Sequence, residues 1–186
     1  MLDKYNSLDY LFTQEFMIAG VGSHIAHPSK SKNNTAIIWG PPAIGKTFSK
    51  KNGKYGDKYI DWDDEFNRKR DVWIAQHSGT VVGTDEFKVA RNEYLINWSQ
   101  HEDFKDFVKQ EWKRVKNKAN QQNKILLASP AMLLSLFPND FNKVITMSDD
   151  DFIARGSKRG DSDLEDWKRS INARLQFIPD DKKIEI

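Results

Sequence analysis

Residues 35–47 read Thr35-Ala36-Ile37-Ile38-Trp39-Gly40-Pro41-Pro42-Ala43-Ile44-Gly45-Lys46-Thr47. The apolar run Ala36–Trp39 predicts a short buried strand, and it leads directly into Gly40. Positions 40–47 satisfy GxxxxGK[ST], a phosphate-binding loop in the context it requires, after a strand and before a helix start. Each position has a physical task. Gly40 and Gly45 let the backbone wrap close to phosphate oxygens, with Pro41, Pro42, Ala43 and Ile44 forming the loop between them. The loop N–H groups and the following helix N-terminus favour negative charge. The Lys46 ammonium suits the β- and γ-phosphates, and the Thr47 hydroxyl suits Mg²⁺. A Gly/Pro turn with no ligand is the plain alternative.

Working outward, the chain alternates strand-like and helix-like segments. Lys58–Ile60 reads as a second strand, ending in Asp61-Trp62-Asp63-Asp64. Three helical patterns follow: Phe66, Trp73, Ile74 and His77; then Phe87 to Trp98 after Gly83-Thr84-Asp85; then Phe104 to Val115. Lys124–Ala128 predicts a third strand, 131–137 a short helix, and Lys143–Met147 a fourth strand. Residues 149–155 and 164–175 read as helices, and 182–186 as a fifth strand. Upstream, 7–19 has helical spacing and 20–34 is a turn-rich connector. Asn52-Gly53 and Tyr55-Gly56 limit the helix after the phosphate loop to a short one. This alternation predicts an α/β fold with a parallel sheet, whose ligands sit at the carboxyl ends of the strands. The phosphate loop, the Asp cluster, Ser129 and the segment after Met147 then share one edge.

Composition bounds the partners. The 186 residues suit one domain, and 29 basic against 27 acidic residues leave a net charge of +2. That balance neither announces nor excludes a nucleic-acid partner. The absence of cysteine removes disulfides and thiolate metal sites. No apolar run approaches the roughly 20 residues that span a bilayer. The first residues lack a basic segment followed by an apolar core, so no secretory signal is expected. The expectation is a soluble, cytoplasmic protein with no membrane partner.

Two clusters could carry chemistry. A bound nucleoside triphosphate needs Mg²⁺, which takes oxygen ligands, and a phosphoryl acceptor needs a carboxylate to orient it. Asp61 and Asp63 alternate along an extended segment in this reading, pointing to different duties, while Asp64 suits the N-cap of a helix beginning near Glu65. Arg155 and Arg159, four apart in Arg155-Gly156-Ser157-Lys158-Arg159-Gly160-Asp161, suit the charge of a transferring phosphoryl group. Their flanking glycines suit a closing lid; a basic surface turn is the alternative. Ser129 at the end of the third strand and Arg91 on a helix are weaker candidates for the acceptor. A helix cap and a surface salt bridge are their plain readings. The Lys/Arg-rich side of the third helix (Lys105, Lys109, Lys113, Arg114, Lys116) reads as a solvated face, with an anionic polymer as the lesser alternative. The histidines show no metal-ligand spacing.

The ordered trio GPPAIGKT, YIDWDDEF and FIARGSKRGD resembles the small phosphate-loop kinases. That group includes shikimate, gluconate and nucleoside monophosphate kinases and the 5′-kinase domain of phage polynucleotide kinase. The resemblance covers residues 35–186 and leaves 1–34 as an extension without a counterpart. It implies a P-loop NTPase fold: five parallel strands, helices on both faces, a helical acceptor-side region over 64–120 and a lid over about 149–163. It implies ATP and Mg²⁺. It places Asp61 with Mg²⁺-linked water, Asp63 as the base-like residue at the acceptor, and Arg155 and Arg159 over the phosphates. The implied function is transfer of the γ-phosphate of ATP to a nucleotide or nucleic-acid-like acceptor, such as a 5′-hydroxyl or a hydroxymethylated base. The chain departs from the pattern in three places. The helix after the loop is short, the shikimate-type glycine triplet is replaced by Ala128-Ser129-Pro130, and the third strand carries no Walker B aspartate. The alternatives are an NTPase or nucleotide-binding module without a small acceptor, a kinase of sugars or shikimate-like molecules, and a loop that binds an anion without turnover.

Overall fold

Five short strands form one sheet in a computed structural model that describes residues 36–42, 56–160 and 163–185. They are β1 (Ile37–Trp39), β2 (Tyr59–Asp61), β3 (Ile125–Ala128), β4 (Lys143–Thr146) and β5 (Lys183–Glu185). The order across the sheet is β2-β3-β1-β4-β5, and every neighbouring pair is parallel. The helices are α1 (Trp62–Ser78), α2 (Asp85–Ile96), α3 (Glu102–Gln122), α4 (Ala131–Leu136), α5 (Asp149–Arg159) and α6 (Leu164–Leu175). The expected α/β fold with a five-stranded parallel sheet and flanking helices is therefore present. The expected helix over 7–19 and the short helix after the phosphate loop lie outside the described residues.

Strands β1 and β3 form because their sequences are apolar throughout rather than alternating. Ile37, Ile38 and Trp39 are all buried, as are Ile125, Leu126, Leu127 and Ala128. Parallel strands covered on both faces read as such continuous runs. Registers are Ile38 opposite Leu127 on one side of β1 and Trp39 opposite Val144 on the other. Asn142 closes the entrance of β1: its Oδ1 accepts from Ile37 N at 2.7 Å, and its own N donates to Ile37 O at 2.9 Å.

The chain divides into two compact units, each described by itself. One holds the sheet, with residues through Asp61 and from Ala119 onward; the other is helical, Trp62–Lys118. In the sheet unit, β3→β4 and β4→β5 run the same way across the sheet. Right-handed crossovers put α4, α5 and α6 on a common face. There α6 packs on α4 and α5. Arg174 fastens the first contact, donating from Nε to Ser135 Oγ at 3.0 Å. Burial, with no carboxylate bonded to it among the described residues, lowers the pKa of this guanidinium.

The helical unit is built on aromatic packing. Trp62, Phe104, Trp112 and Val115 are fully enclosed or nearly so. Trp62 stacks on Phe66 at 4.6 Å and meets Trp112 edge-on at 5.2 Å. Thr84 caps α2 by accepting from Phe87 N at 3.2 Å. Asn123, in the left-handed region at φ 52°, ends α3, and Lys124 N reaches back to Ala119 O at 3.0 Å. This Schellman-type closure turns the chain into β3.

Two expectations are corrected. The first helix begins at Trp62, not near Glu65, because Trp62 is needed in the aromatic core. Asp61 is thus the last residue of β2, while Asp63 and Asp64 sit in the first helical turn. They do not alternate along an extended segment, and Asp64 is not an N-cap. Its charge still suits the positive end of the helix dipole. Second, Gly156 lies inside α5 and is buried. A Cβ there would collide with the Leu164 side chain. It is a close-packing glycine between α5 and α6 rather than a hinge, and Gly160, at φ 78°, is the left-handed C-cap of α5.

Candidate functional site

Parallel pairing brings the carboxyl ends of β1, β2, β3 and β4 to one edge of the sheet. Gly40, Asp61, Ser129 and Met147 therefore share that edge, as the sequence predicts. β1 is central, flanked by β3 and β4. The pairing continues one residue beyond β1, where Gly40 N donates to Ala128 O at 2.9 Å. Gly40 and Pro41 are buried and Pro42 half-buried. The GPPAIGKT segment thus leaves the sheet from its interior. Ala43, Ile44, Gly45, Lys46 and Thr47 lie outside the described residues.

The Trp39 indole locks this exit. It is completely enclosed, and its Nε1 donates to Pro130 O at 3.2 Å. The first residue of the loop and the segment after β3 are tied together by that bond and the Gly40–Ala128 bond. Ser129, between them in sequence, is 6 % exposed. Asp61 at the end of β2 is 2 % exposed, which is rare for a carboxylate and requires that it be partnered.

Topology marks a second feature of the edge. The connection leaving β1 goes toward β2, and the connection leaving β4 goes the other way, toward β5. Adjacent strands with diverging connections open a crevice at their carboxyl ends, where α/β folds bind ligands. A small hollow of about 20 Å³, room for roughly one water, lies there, bounded by Trp39 and Pro41 on the β1 side, Thr146 and Met147 on the β4 side, and Phe152, Lys168 and Asn172 from α5 and α6. Sequence reasoning singled out neither Lys168 nor Asn172. They are four apart on α6, so helical spacing puts them on one side, but only the fold brings that side to Asp149. Asn172 Nδ2 donates to Asp149 Oδ1 at 3.3 Å, and Lys168 Nζ lies 3.7 Å from Asp149 Oδ2 and 2.8 Å from Glu165 Oε2. The hydrogen bond to Glu165 is the main reason the Lys168 ammonium holds its proton more firmly than usual.

The arginines have different standings. Arg155 is half-buried midway along α5, and Arg159 is the last residue of that helix. The direction of the Arg159 side chain lies outside the described residues. Ser148 starts the helix, its Oγ accepting from Asp151 N at 3.1 Å.

Asp63 and Arg91 belong to the helical unit. Asp63 is half-buried in the first turn of α1. Arg91 is half-buried on α2, and its Nε is sealed from solvent without an acceptor. The expected surface salt bridge for Arg91 is absent among the described residues. The basic side of α3 is laced with local ion pairs: Lys109 with Asp106 at 2.9 Å, Arg114 with Glu111 at 2.7 Å, and Lys105 with Glu102. Those pairs fit a solvated face better than a free anion-docking stripe. Asp85 is paired as well, with Lys88 at 2.7 Å.

Among the described residues no three acidic, histidine or cysteine side chains cluster as a metal site, and no helix is long and apolar enough to cross a membrane. Compared with known proteins, the chain matches no family model, no curated protein and no solved structure.

Proposed function

We propose that this chain is a phosphate-loop kinase that transfers the γ-phosphate of ATP to a hydroxyl or phosphate of a nucleotide or nucleic-acid acceptor. One observation carries the reading. The GxxxxGK[ST] segment departs from the buried carboxyl end of the central strand of an all-parallel sheet, beside the point where connections diverge. Phosphates are held at such an exit, where loop N–H groups converge.

Asp61 adds to it. Mg²⁺ keeps most of its waters and takes one or two carboxylates, so a three-residue acidic cluster is not required. A single enclosed carboxylate at the same edge fits, and Asp61 with the Thr47 hydroxyl would hold the ion. When bound, Mg²⁺ neutralises charge on the β- and γ-phosphates. The rest of the work is positioning and charge stabilisation by side chains. Lys46 binds the transferring phosphate, Arg155 and Arg159 stabilise charge on it, and Asp63 accepts the proton of the acceptor hydroxyl. Ser129 and Arg91 are assigned to the acceptor.

The test is transfer of labelled γ-phosphate to a panel of nucleosides, nucleoside monophosphates, DNA and RNA with 5′-hydroxyls, hydroxymethylated DNA, and sugars. Lys46→Ala is expected to remove at least about a thousandfold of the rate, in line with the worth of a cation at this charge. Circular dichroism should stay unchanged. ATP consumption without a labelled product would replace the kinase with an NTPase. Full transfer by the Lys46 variant would remove the site assignment.

A further inference from the structure

Among the described residues Arg91 has no counter-ion. It lies four residues after the buried Phe87 and three before Tyr94, so all three share the face of α2 that packs on α1. Its Nε is closed off from water and meets no acceptor among the described residues. Two carboxylates of α2 are engaged elsewhere. Asp85 Oδ1 accepts from Lys88 at 2.7 Å, and Glu93 Oε1 accepts from Asn97 Nδ2 at 2.9 Å and lies 3.7 Å from His101 Nε2. A guanidinium is always charged and carries donors only. Holding it half-buried without a counter-ion is unfavourable, and an anion meeting its terminal Nη groups, which are not sealed as Nε is, would relieve that.

The same seam carries a stacking surface. His77 lies on Trp73 with ring centroids 3.6 Å apart and planes at 17°. Its Nδ1 is 2.8 Å from Trp73 O, and because a carbonyl only accepts, Nδ1 donates and the ring is held in place. His77 is exposed. Trp73 in turn meets Tyr94 edge-on at 5.5 Å, which ties the stack to the turn of α2 that bears Arg91.

We propose that the α1–α2 seam binds a nucleotidyl phosphate, with the Arg91 guanidinium on the phosphate oxygens and the base on the His77–Trp73 stack. A planar donor fork suits phosphate, and an aromatic face accepts any base. The role of the seam as the acceptor site rests on the kinase reading; binding itself needs no ATP and no turnover.

The experiment uses the full chain without ATP. Fluorescence polarisation follows a labelled single-stranded oligodeoxynucleotide, and calorimetry follows a deoxynucleoside monophosphate and inorganic phosphate. Arg91→Ala should weaken nucleotide binding by at least about tenfold, and for the oligonucleotide should lower the slope of log affinity against log salt by about one. Arg91→Lys should recover part of the loss. His77→Ala should weaken the nucleotide by about tenfold and leave inorganic phosphate unchanged. Binding of the oligonucleotide alone identifies the source as a strand, and binding of the monophosphate identifies a free nucleotide. If Arg91→Ala does not fold, Arg91→Gln carries the comparison, with circular dichroism as the check. A folded Arg91 variant that binds both probes like wild type overturns the proposal, as does a wild-type chain that binds neither. Binding to the seam with no phosphate transferred to any member of the acceptor panel would sink the kinase reading and leave this one standing.

Discussion

The sheet unit and the helical unit bury their interiors by different means. In the sheet unit, β1 and β3 are apolar at every position and the backbone ladder sets the spacing. In the helical unit, large rings meet at angles and distances that no ladder dictates, as with Trp62, Phe66 and Trp112. The outer surface differs too. On the basic side of α3, Lys105, Lys109 and Arg114 each make an ion pair within a single turn, and such pairs contribute little to stability. The contrast teaches where each unit can carry chemistry. The sheet edge holds the enclosed polar side chains of Asp61 and Ser129 at fixed places. The helical unit offers aromatic faces and the half-buried Arg91 guanidinium, which has no counter-ion among the described residues.

Core truncations give the sharpest test of that contrast. Trp112→Ala is expected to cost about 3–5 kcal/mol, because the cavity left among rings cannot collapse. Leu126→Ala in β3 should cost about 2–5 kcal/mol. If the two units unfold independently, the first variant will produce a second denaturation transition, with the sheet unit melting near its normal midpoint. A single shared transition in chemical denaturation would break the comparison.

A smaller effect falls inside the sheet unit. Gly156→Ala should cost about 1–3 kcal/mol, since the new methyl must displace Leu164. Its phosphate transfer should fall together with its stability if α5 and α6 work as one packed pair. Unchanged stability would return Gly156 to the role of a hinge. The smallest effect belongs to the exposed Lys109. Its hydrogen bond and attraction to Asp106 raise its pKa, yet Lys109→Ala should leave the melting midpoint and oligonucleotide binding unchanged. A drop in oligonucleotide affinity alone would revive the anion-docking reading of α3.

Much of the framework was legible in the residues. Short apolar runs bounded by turn residues located the first four strands to within a residue or so, and the terminal segment 182–186 contained the fifth. Helical spacing located the helices, although α5 runs four residues further than its apolar pattern indicates, because Gly156 is tolerated where α6 comes close. The start of α1 was not legible, because the Asp cluster reads as a cap, whereas burial of Trp62 draws the helix back to the strand end. The hollow beside β1 was not legible. Trp39, Asp149 and Lys168 are far apart in the chain, and no local pattern records that α6 turns its Lys168/Asn172 side toward the first turn of α5.

The sequence by itself determined the GxxxxGK[ST] loop, the parallel α/β class and the carboxyl-edge position of Asp61 and Ser129. Those depend on local chemistry and on the rule that βαβ connections keep strands parallel. Only the tertiary structure decided the order β2-β3-β1-β4-β5, the enclosure of Asp61, the packing role of Gly156 and the lack of a counter-ion for Arg91 among the described residues. Strand order and side-chain partnership are set by contacts between residues distant in the chain, and local propensity carries no record of them.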